Sequence, residues 1–156
     1  MDSKIKKISS LDRISRKTRS RKMKIVFTNG CFDILHVGHV EYLKKAKSLG
    51  DILIVGLNGD KSVRKIKGDS RPINNANDRA RVLEALQCVD YITIFNDETP
   101  EKIIEILKPD VLAKGGDWKV KDIVGGDFVK KNGGRVVAIP FVHGYSTTRL
   151  IERISL

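Results

Sequence analysis

The sequence predicts an α/β fold: one domain with an open, doubly wound, five-stranded parallel sheet, preceded by a basic N-terminal segment. Three observations carry that reading. The chain has 156 residues, the size of one globular unit. After residue 23, five short runs rich in β-branched residues alternate with helical patterns, as parallel βαβ units do. Those runs are apolar on both sides, which suits strands covered by helices on either face.

Taken in order, residues 10–14 (Ser-Leu-Asp-Arg-Ile) can begin a short amphipathic helix that packs on the domain or on a second subunit. Residues 24–28, 52–57, 91–95, 111–113 and 135–139 are the expected strands. A helix over 39–49 carries Val40, Leu43, Ala46 and Leu49 at three-residue steps and stops at Gly50. Residues 77–86 place Ala80, Leu83 and Leu86 on one face. Thr99-Pro100 offers a cap and a first-turn proline for a helix over 101–107, which ends before Pro109. The pattern over 120–131 is interrupted at Gly125-Gly126, and Ser146-Thr147-Thr148 suits the start of a last helix over 146–154. The sum is a Rossmann-like doubly wound sheet, residues 24–156, after a segment 1–23. Such sheets bind ligands at the carboxyl ends of the strands, where the winding reverses. The longest irregular connection, 58–76, leaves that rim and holds Lys61, Arg64, Lys65, Lys67 and Arg71.

Composition narrows the function. With 40% hydrophobic and 31% charged residues, wholesale disorder is excluded. No apolar run approaches the ~20 residues needed to cross a bilayer. The first residues lack the apolar stretch of a secretory signal, and two cysteines, Cys31 and Cys88, make neither a disulfide framework nor a four-ligand zinc site. A cytoplasmic protein is expected, with no membrane partner. The net charge of +11 is uneven: residues 1–24 hold ten of the 30 basic residues and two of the 19 acidic ones. That segment therefore carries +8 and the rest only +3. The expectation is a solvated face or tail; a nucleic-acid-binding arm is the competing reading.

The most informative stretch is Thr28-Asn29-Gly30-Cys31-Phe32-Asp33-Ile34-Leu35-His36-Val37-Gly38-His39. It leaves the first strand, turns, and enters the first crossover helix, where backbone N–H groups and the helix dipole favour an anion. Gly38 permits close approach to the backbone, and His36 and His39 can both project toward one phosphate. Other chemistries fit less well. Paired histidines could bind zinc, but no Cys/His cluster completes the ligand set, and His143 is isolated. The Walker pattern G-x-x-x-x-G-K-[ST] is missing, and Gly30 and Gly38 have the wrong spacing for a dinucleotide fingerprint. Cys31 reads as a packed thiol more simply than as a nucleophile.

These residues resemble the HxGH motif of the nucleotidyltransferase superfamily, of cytidylyltransferase-like type. The longer string resembles more particularly the adenylyltransferases of ADP-heptose synthesis. So do Leu57-Asn58-Gly59-Asp60, the stretch from Ile66 to Pro72, Asp78-Arg79, Lys114-Gly115-Gly116-Asp117-Trp118 and Gly144-Tyr145-Ser146-Thr147-Thr148. The resemblance runs in order from about residue 24 to residue 154. It implies an enzyme that joins ATP, with Mg2+, to D-glycero-β-D-manno-heptose 1-phosphate and expels pyrophosphate. Such chemistry needs positive charge and N–H donors more than a base, because the attacking phosphate is already anionic.

The roles the resemblance implies are these. His36, His39, Lys67 and Arg71 would be catalytic, holding the triphosphate. Thr28, Asn29, Gly30, Cys31, Phe32 and Gly38 would line the nucleotide cleft, with Arg79 reaching the same anionic site. Gly116, Asp117 and Trp118 would lie near base and ribose, and Ser146, Thr147 and Thr148 at the β- and γ-phosphates. Asp33 would lie near the acceptor or the metal, with no residue assigned as a direct metal ligand. Glycerol-3-phosphate cytidylyltransferases carry Arg-Thr-Glu-Gly where this chain has Phe141-Val142-His143-Gly144, which favours ATP over CTP. A cytidylyltransferase acting on glycerol 3-phosphate or a related phosphoalcohol is the alternative. A homodimer or higher homo-oligomer is expected, without a nucleic-acid partner.

Overall fold

A computed structural model describes residues 2–116 and 118–155. Five strands form one all-parallel sheet: β1 (Ile25–Gly30), β2 (Ile52–Asn58), β3 (Tyr91–Phe95), β4 (Val111–Gly115) and β5 (Arg135–Ile139). Their order is β3-β2-β1-β4-β5, so the winding reverses between β1 and β4. The seven helices among the described residues are α1 (Ile8–Ser20), α2 (Val37–Lys47), α3 (Asp60–Lys67), α4 (Ala76–Glu84), α5 (Glu101–Leu107), α6 (Gly126–Lys131) and α7 (Thr147–Ile154).

Alternation along each strand divides the core in two. Val26, Leu53, Val55 and Val111 point to one face, where Leu43 and Ala46 of α2 and Ala80 and Leu83 of α4 cover them. Ile25, Phe27, Ile54 and Leu112 point to the other, beneath Leu11 of α1, Ile103, Ile104 and Leu107 of α5, and Val129 of α6. Both faces are dry, so the strands read as continuous apolar runs.

Several expectations change. The basic N-terminal segment is not a free tail. Ile5 bridges Ile92 beside β3, with Lys6 N–H donating to the Ile92 carbonyl at 2.8 Å, and Leu11 is fully buried. Burying one leucine contributes about 1.5–3 kcal/mol, and Ile8 and Ile14 pack beside it. The connection 58–76 is not wholly irregular either: α3 occupies its first half, docked through buried Ser62 and Val63. Finally, β1 runs two residues further than expected, so Asn29 and Gly30 belong to the strand, paired with Gly56 and Leu57 of β2. At α5 the capping position is Pro100 itself, with no side-chain cap.

Candidate active site

The reversal between β1 and β4 opens a cleft of about 510 Å3 at the carboxyl ends of the strands. Its walls are the turn after β1, the first turn of α2, Lys67 at the end of α3, the end of β4, and the segment from Phe141 into α7. No carboxylate is among the described residues that line it.

The imidazoles face this cleft as a pair. His36 is the N-cap of α2, its Nδ1 accepting from Gly38 N–H at 3.1 Å. A neutral imidazole that accepts at Nδ1 carries its proton on Nε2, which leaves that N–H as a donor for a ligand. His39 stacks on His36, with ring centroids 3.8 Å apart, and meets the edge of Phe32 at 5.3 Å. A Cβ on residue 38 would sit 2.9 Å from His36 Cε1 and 3.1 Å from Tyr145 Cβ. Glycine is thus required by the His36 ring and Tyr145, where the sequence led us to expect a ligand's approach. Burial lowers His36, and burial followed by His36 and Lys67 brings His39 down to about 4. Both rings are therefore neutral at pH 7. His39 Nδ1 is buried without a partner in the protein.

Across the cleft, Ser146 caps α7, its Oγ accepting from Arg149 N–H at 3.1 Å. Ser146, Thr147 and Thr148 all line the cleft, as do Asn29, Gly30, Cys31, Phe32, Gly38, His36, His39 and Lys67. Two helix starts thus converge on one space, each bringing partial positive charge. Burial pushes the Cys31 thiol up despite Lys67, Arg79 and Arg71 nearby, so it stays protonated and is a poor nucleophile.

Several expected ligands turn elsewhere. Thr28 is buried below the cleft, hydrogen-bonded to the Tyr42 hydroxyl. Gly116 (φ 99°) lies outside the lining; a Cβ there would strike the Phe141 ring at 2.6 Å. Trp118 is 53% exposed on a neighbouring depression with Phe141 and Asp122. Asp117 lies outside the described residues.

The largest corrections concern Asp33, Arg71 and Arg79. The Asp33 carboxylate faces the loop after α3, accepting from Arg71 Nε at 2.6 Å and from the N–H groups of Ile73 and Asn74. Burial alone would raise its pKa, but the Asn74 and Ile73 N–H groups and Arg71 hold it below the usual range. Its side chain is 1% exposed. Arg71, so paired, does not line the cleft, and its Nη2 is buried without a partner. Arg79 spends four of its five N–H donors within the protein, on the carbonyls of Cys31 (2.6 Å), Asn58 (2.8 Å) and Asn74 (2.8 Å) and on Asp60 (2.8 Å). It ties the turn after β1 to the end of β2.

Sequence reasoning passed over Tyr42, Lys114 and Arg149, which the cleft includes. Each had a signal. Tyr42 follows His39 by three on α2, Arg149 follows the Ser146 cap by three, and Lys114 ends an apolar buried strand at the ligand-binding edge. The Tyr42 hydroxyl sits between Thr28 and the Ala113 carbonyl, and burial pushes its pKa up to about 12.

Among the described residues the donor set does not fit a divalent cation held by the protein: none that lines the cleft is a carboxylate, and no group of three His, Cys, Asp or Glu could hold a metal. No helix among them is long and apolar enough to cross a membrane.

A switch-point cleft with two helix starts, two neutral imidazoles and several cations, in an α/β domain, suits an anionic ligand. The chain belongs to the cytidylyltransferase-like family, whose model matches residues 27–153, and it is accordingly a nucleotidyltransferase. It is 54% identical over 153 residues to the bifunctional protein HldE of Citrifermentans bemidjiense, and 54% identical over the same length to that of Geobacter metallireducens. Each alignment covers 98% of this chain and 31% of the relative, so the chain spans about a third of the length of the curated relatives it matches. Among solved structures, a lipopolysaccharide core biosynthesis protein from Thermoplasma volcanium is similar at 31% identity and a TM-score of 0.63, over 77% of this chain and 97% of that one. A pantoate-beta-alanine ligase from Francisella tularensis shares the fold at 17% identity, with a TM-score of 0.61 over 99% of this chain and 77% of that one.

Proposed function

We propose that this domain is an adenylyltransferase that joins ATP to D-glycero-β-D-manno-heptose 1-phosphate, releasing pyrophosphate and giving ADP-heptose for lipopolysaccharide core or surface-glycan synthesis. The observation that carries this reading is the cleft itself: a polyphosphate-sized space with paired imidazoles, cations and no carboxylate among the described residues that line it. The named relatives and the ordered motif series support the heptose substrate.

Each residue then has a task in bringing two anions together. His36 Nε2–H and His39 donate toward the α-phosphate as charge builds there. Lys67 neutralises the chain of phosphates from the α3 side. Ser146, Thr147 and Thr148 offer hydroxyls and helix N–H groups to the departing pyrophosphate. The turn from Asn29 to Phe32 shapes the nucleotide cleft, with Trp118 at its outer rim. Arg71 is outside this set while it holds Asp33, and Arg79 and Asp33 keep the walls in place. ATP would arrive as its magnesium complex, the metal supplying charge neutralisation of the phosphates. A cytoplasmic location and a homo-oligomer complete the proposal; sedimentation velocity tests the second.

The deciding experiment is pyrophosphate release from a panel of ATP and CTP with heptose 1-phosphate and glycerol 3-phosphate. Turnover with ATP and heptose 1-phosphate is expected. Turnover with CTP and glycerol 3-phosphate, and none with ATP, would overturn the assignment in favour of a cytidylyltransferase.

A further inference from the structure

The imidazole pair leans on a turn that the backbone does not favour. Phe32 sits at φ 43°, a left-handed conformation that a bulky side chain adopts only where its surroundings impose it. That conformation folds the ring over Gly30, where a Cβ would come within 2.8 Å of it. It also sets the ring against His39, with centroids 5.3 Å apart, and His39 in turn stacks on His36. His39 Nδ1 is buried without a hydrogen-bond partner among the described residues, so the neighbouring rings do the work of directing it.

Asp33 imposes the turn from its downstream side. Its buried carboxylate accepts from Arg71 Nε at 2.6 Å and from the N–H groups of Ile73 and Asn74, both at 2.9 Å. Its main-chain carbonyl accepts from Asn74 Nδ2 at 3.0 Å. These partners lie 38 to 41 positions along the chain and are themselves anchored, because Asn75 caps α4 and Arg79 donates to the Asn74 carbonyl at 2.8 Å. Upstream, pairing with Leu57 fixes β1 as far as Gly30, and Arg79 pins the Cys31 carbonyl at 2.6 Å. Phe32 closes the gap between two fixed ends, which is how an unfavourable φ persists.

We propose that Asp33 is a positioning residue for the transfer step: clamped to residues 71–74, it holds Phe32 against His39 and so keeps both imidazoles aimed into the cleft. This rests on the adenylyltransferase reading and adds to it a residue that touches neither substrate. The segment after α3 then has a second use, because its Arg71 and its backbone N–H groups set the geometry of the imidazoles from outside the cleft. A misplacement of about 1 Å in a group that donates to the reacting phosphate can cost about 10²-fold in rate.

A double-mutant cycle read by steady-state pyrophosphate release, with ATP and heptose 1-phosphate, tests this. Asp33→Asn keeps the shape but offers Arg71 an amide, and it is expected to lower kcat roughly 10- to 100-fold with KM for ATP changed less than about threefold. In a His39→Asn background the same substitution should lower kcat by less than about twofold, since the ring it positions is gone. A merely structural role would cost the same factor in both backgrounds. Phe32→Ala leaves the clamp in place and should repeat the pattern, which keeps the question open to test where Asp33→Asn fails to fold. Equal losses in the two backgrounds, or an undiminished kcat in folded Asp33→Asn or Phe32→Ala, would overturn the assignment of Asp33. Wild-type protein that releases no pyrophosphate from ATP with any sugar 1-phosphate would instead sink the adenylyltransferase reading itself.

Discussion

Arg79 gives the sharpest contrast between a ligand-binding and a structural arginine. Its guanidinium is buried and donates to three backbone carbonyls and to Asp60. Arg79→Met keeps the stem and removes every one of those donors. The Asn58 carbonyl is left in a buried place, whereas the Cys31 and Asn74 carbonyls and Asp60 are partly within reach of water. An orphaned buried acceptor costs about 1–3 kcal/mol, and losing the pair to the part-exposed Asp60 adds about 1 kcal/mol. A total of about 2–4 kcal/mol is expected, a fall in unfolding midpoint of about 4–16 °C for a chain of this size. Arg79→Lys should recover less than half, since a point ammonium cannot span three carbonyls. The assay is thermal unfolding by circular dichroism, paired with ATP affinity measured well below the midpoint. An unchanged midpoint with a large loss of ATP affinity would refute the reasoning and return Arg79 to the phosphates.

Three further outcomes follow from the site. His36→Ala should lose both the α2 cap, about 1 kcal/mol, and a donor to the reacting phosphate, about 10²–10³ in kcat. His36→Asn should keep the cap by unfolding midpoint and still lose the rate, and near-normal turnover in either variant would remove His36 from the chemistry. His39 resists protonation down to about pH 4 in the fold, while the unfolded chain takes the proton near 6.5. Between those values the unfolded state binds more protons, so stability should fall as pH drops through that window and be complete above it. Denaturant midpoints of His39→Asn across the same window should show a shallower slope; an identical slope would contradict the assignment. Cys31→Ser should retain most of the turnover, because the buried neutral thiol has no covalent role, and complete inactivation in a folded variant would revive one.

The architecture was legible in the sequence because both faces of the sheet are covered. Val26, Leu53 and Val55 need one apolar layer and Phe27, Ile54 and Leu112 another, so the strands show as unbroken apolar runs. The location of the site was legible for a related reason, since a glycine turn with two histidines at a helix entry has few structural uses. Helix α3 escaped notice because Ser62 and Val63 are its only buried residues among charged neighbours, too little to show a helical period. The directions of the arginines could not be read at all. Arg71 meets Asp33 across 38 positions and Arg79 meets Cys31 across 48, and a basic residue in a loop looks the same whether it faces a phosphate, a carboxylate or a carbonyl. The N-terminal helix itself was legible in its amphipathic start at residues 10–14; what stayed hidden was its partner, α5, some ninety residues away.

The central claim is that nucleotide phosphates lie between the His36–His39 pair and the first turn of α7. A crystal structure with a non-hydrolysable ATP analogue tests it most directly. The account predicts the α-phosphate within hydrogen-bonding distance of imidazole nitrogen and the outer phosphates on Ser146, Thr147 and Thr148. Phosphates bound away from this cleft, with the imidazoles still stacked and untouched, would contradict it.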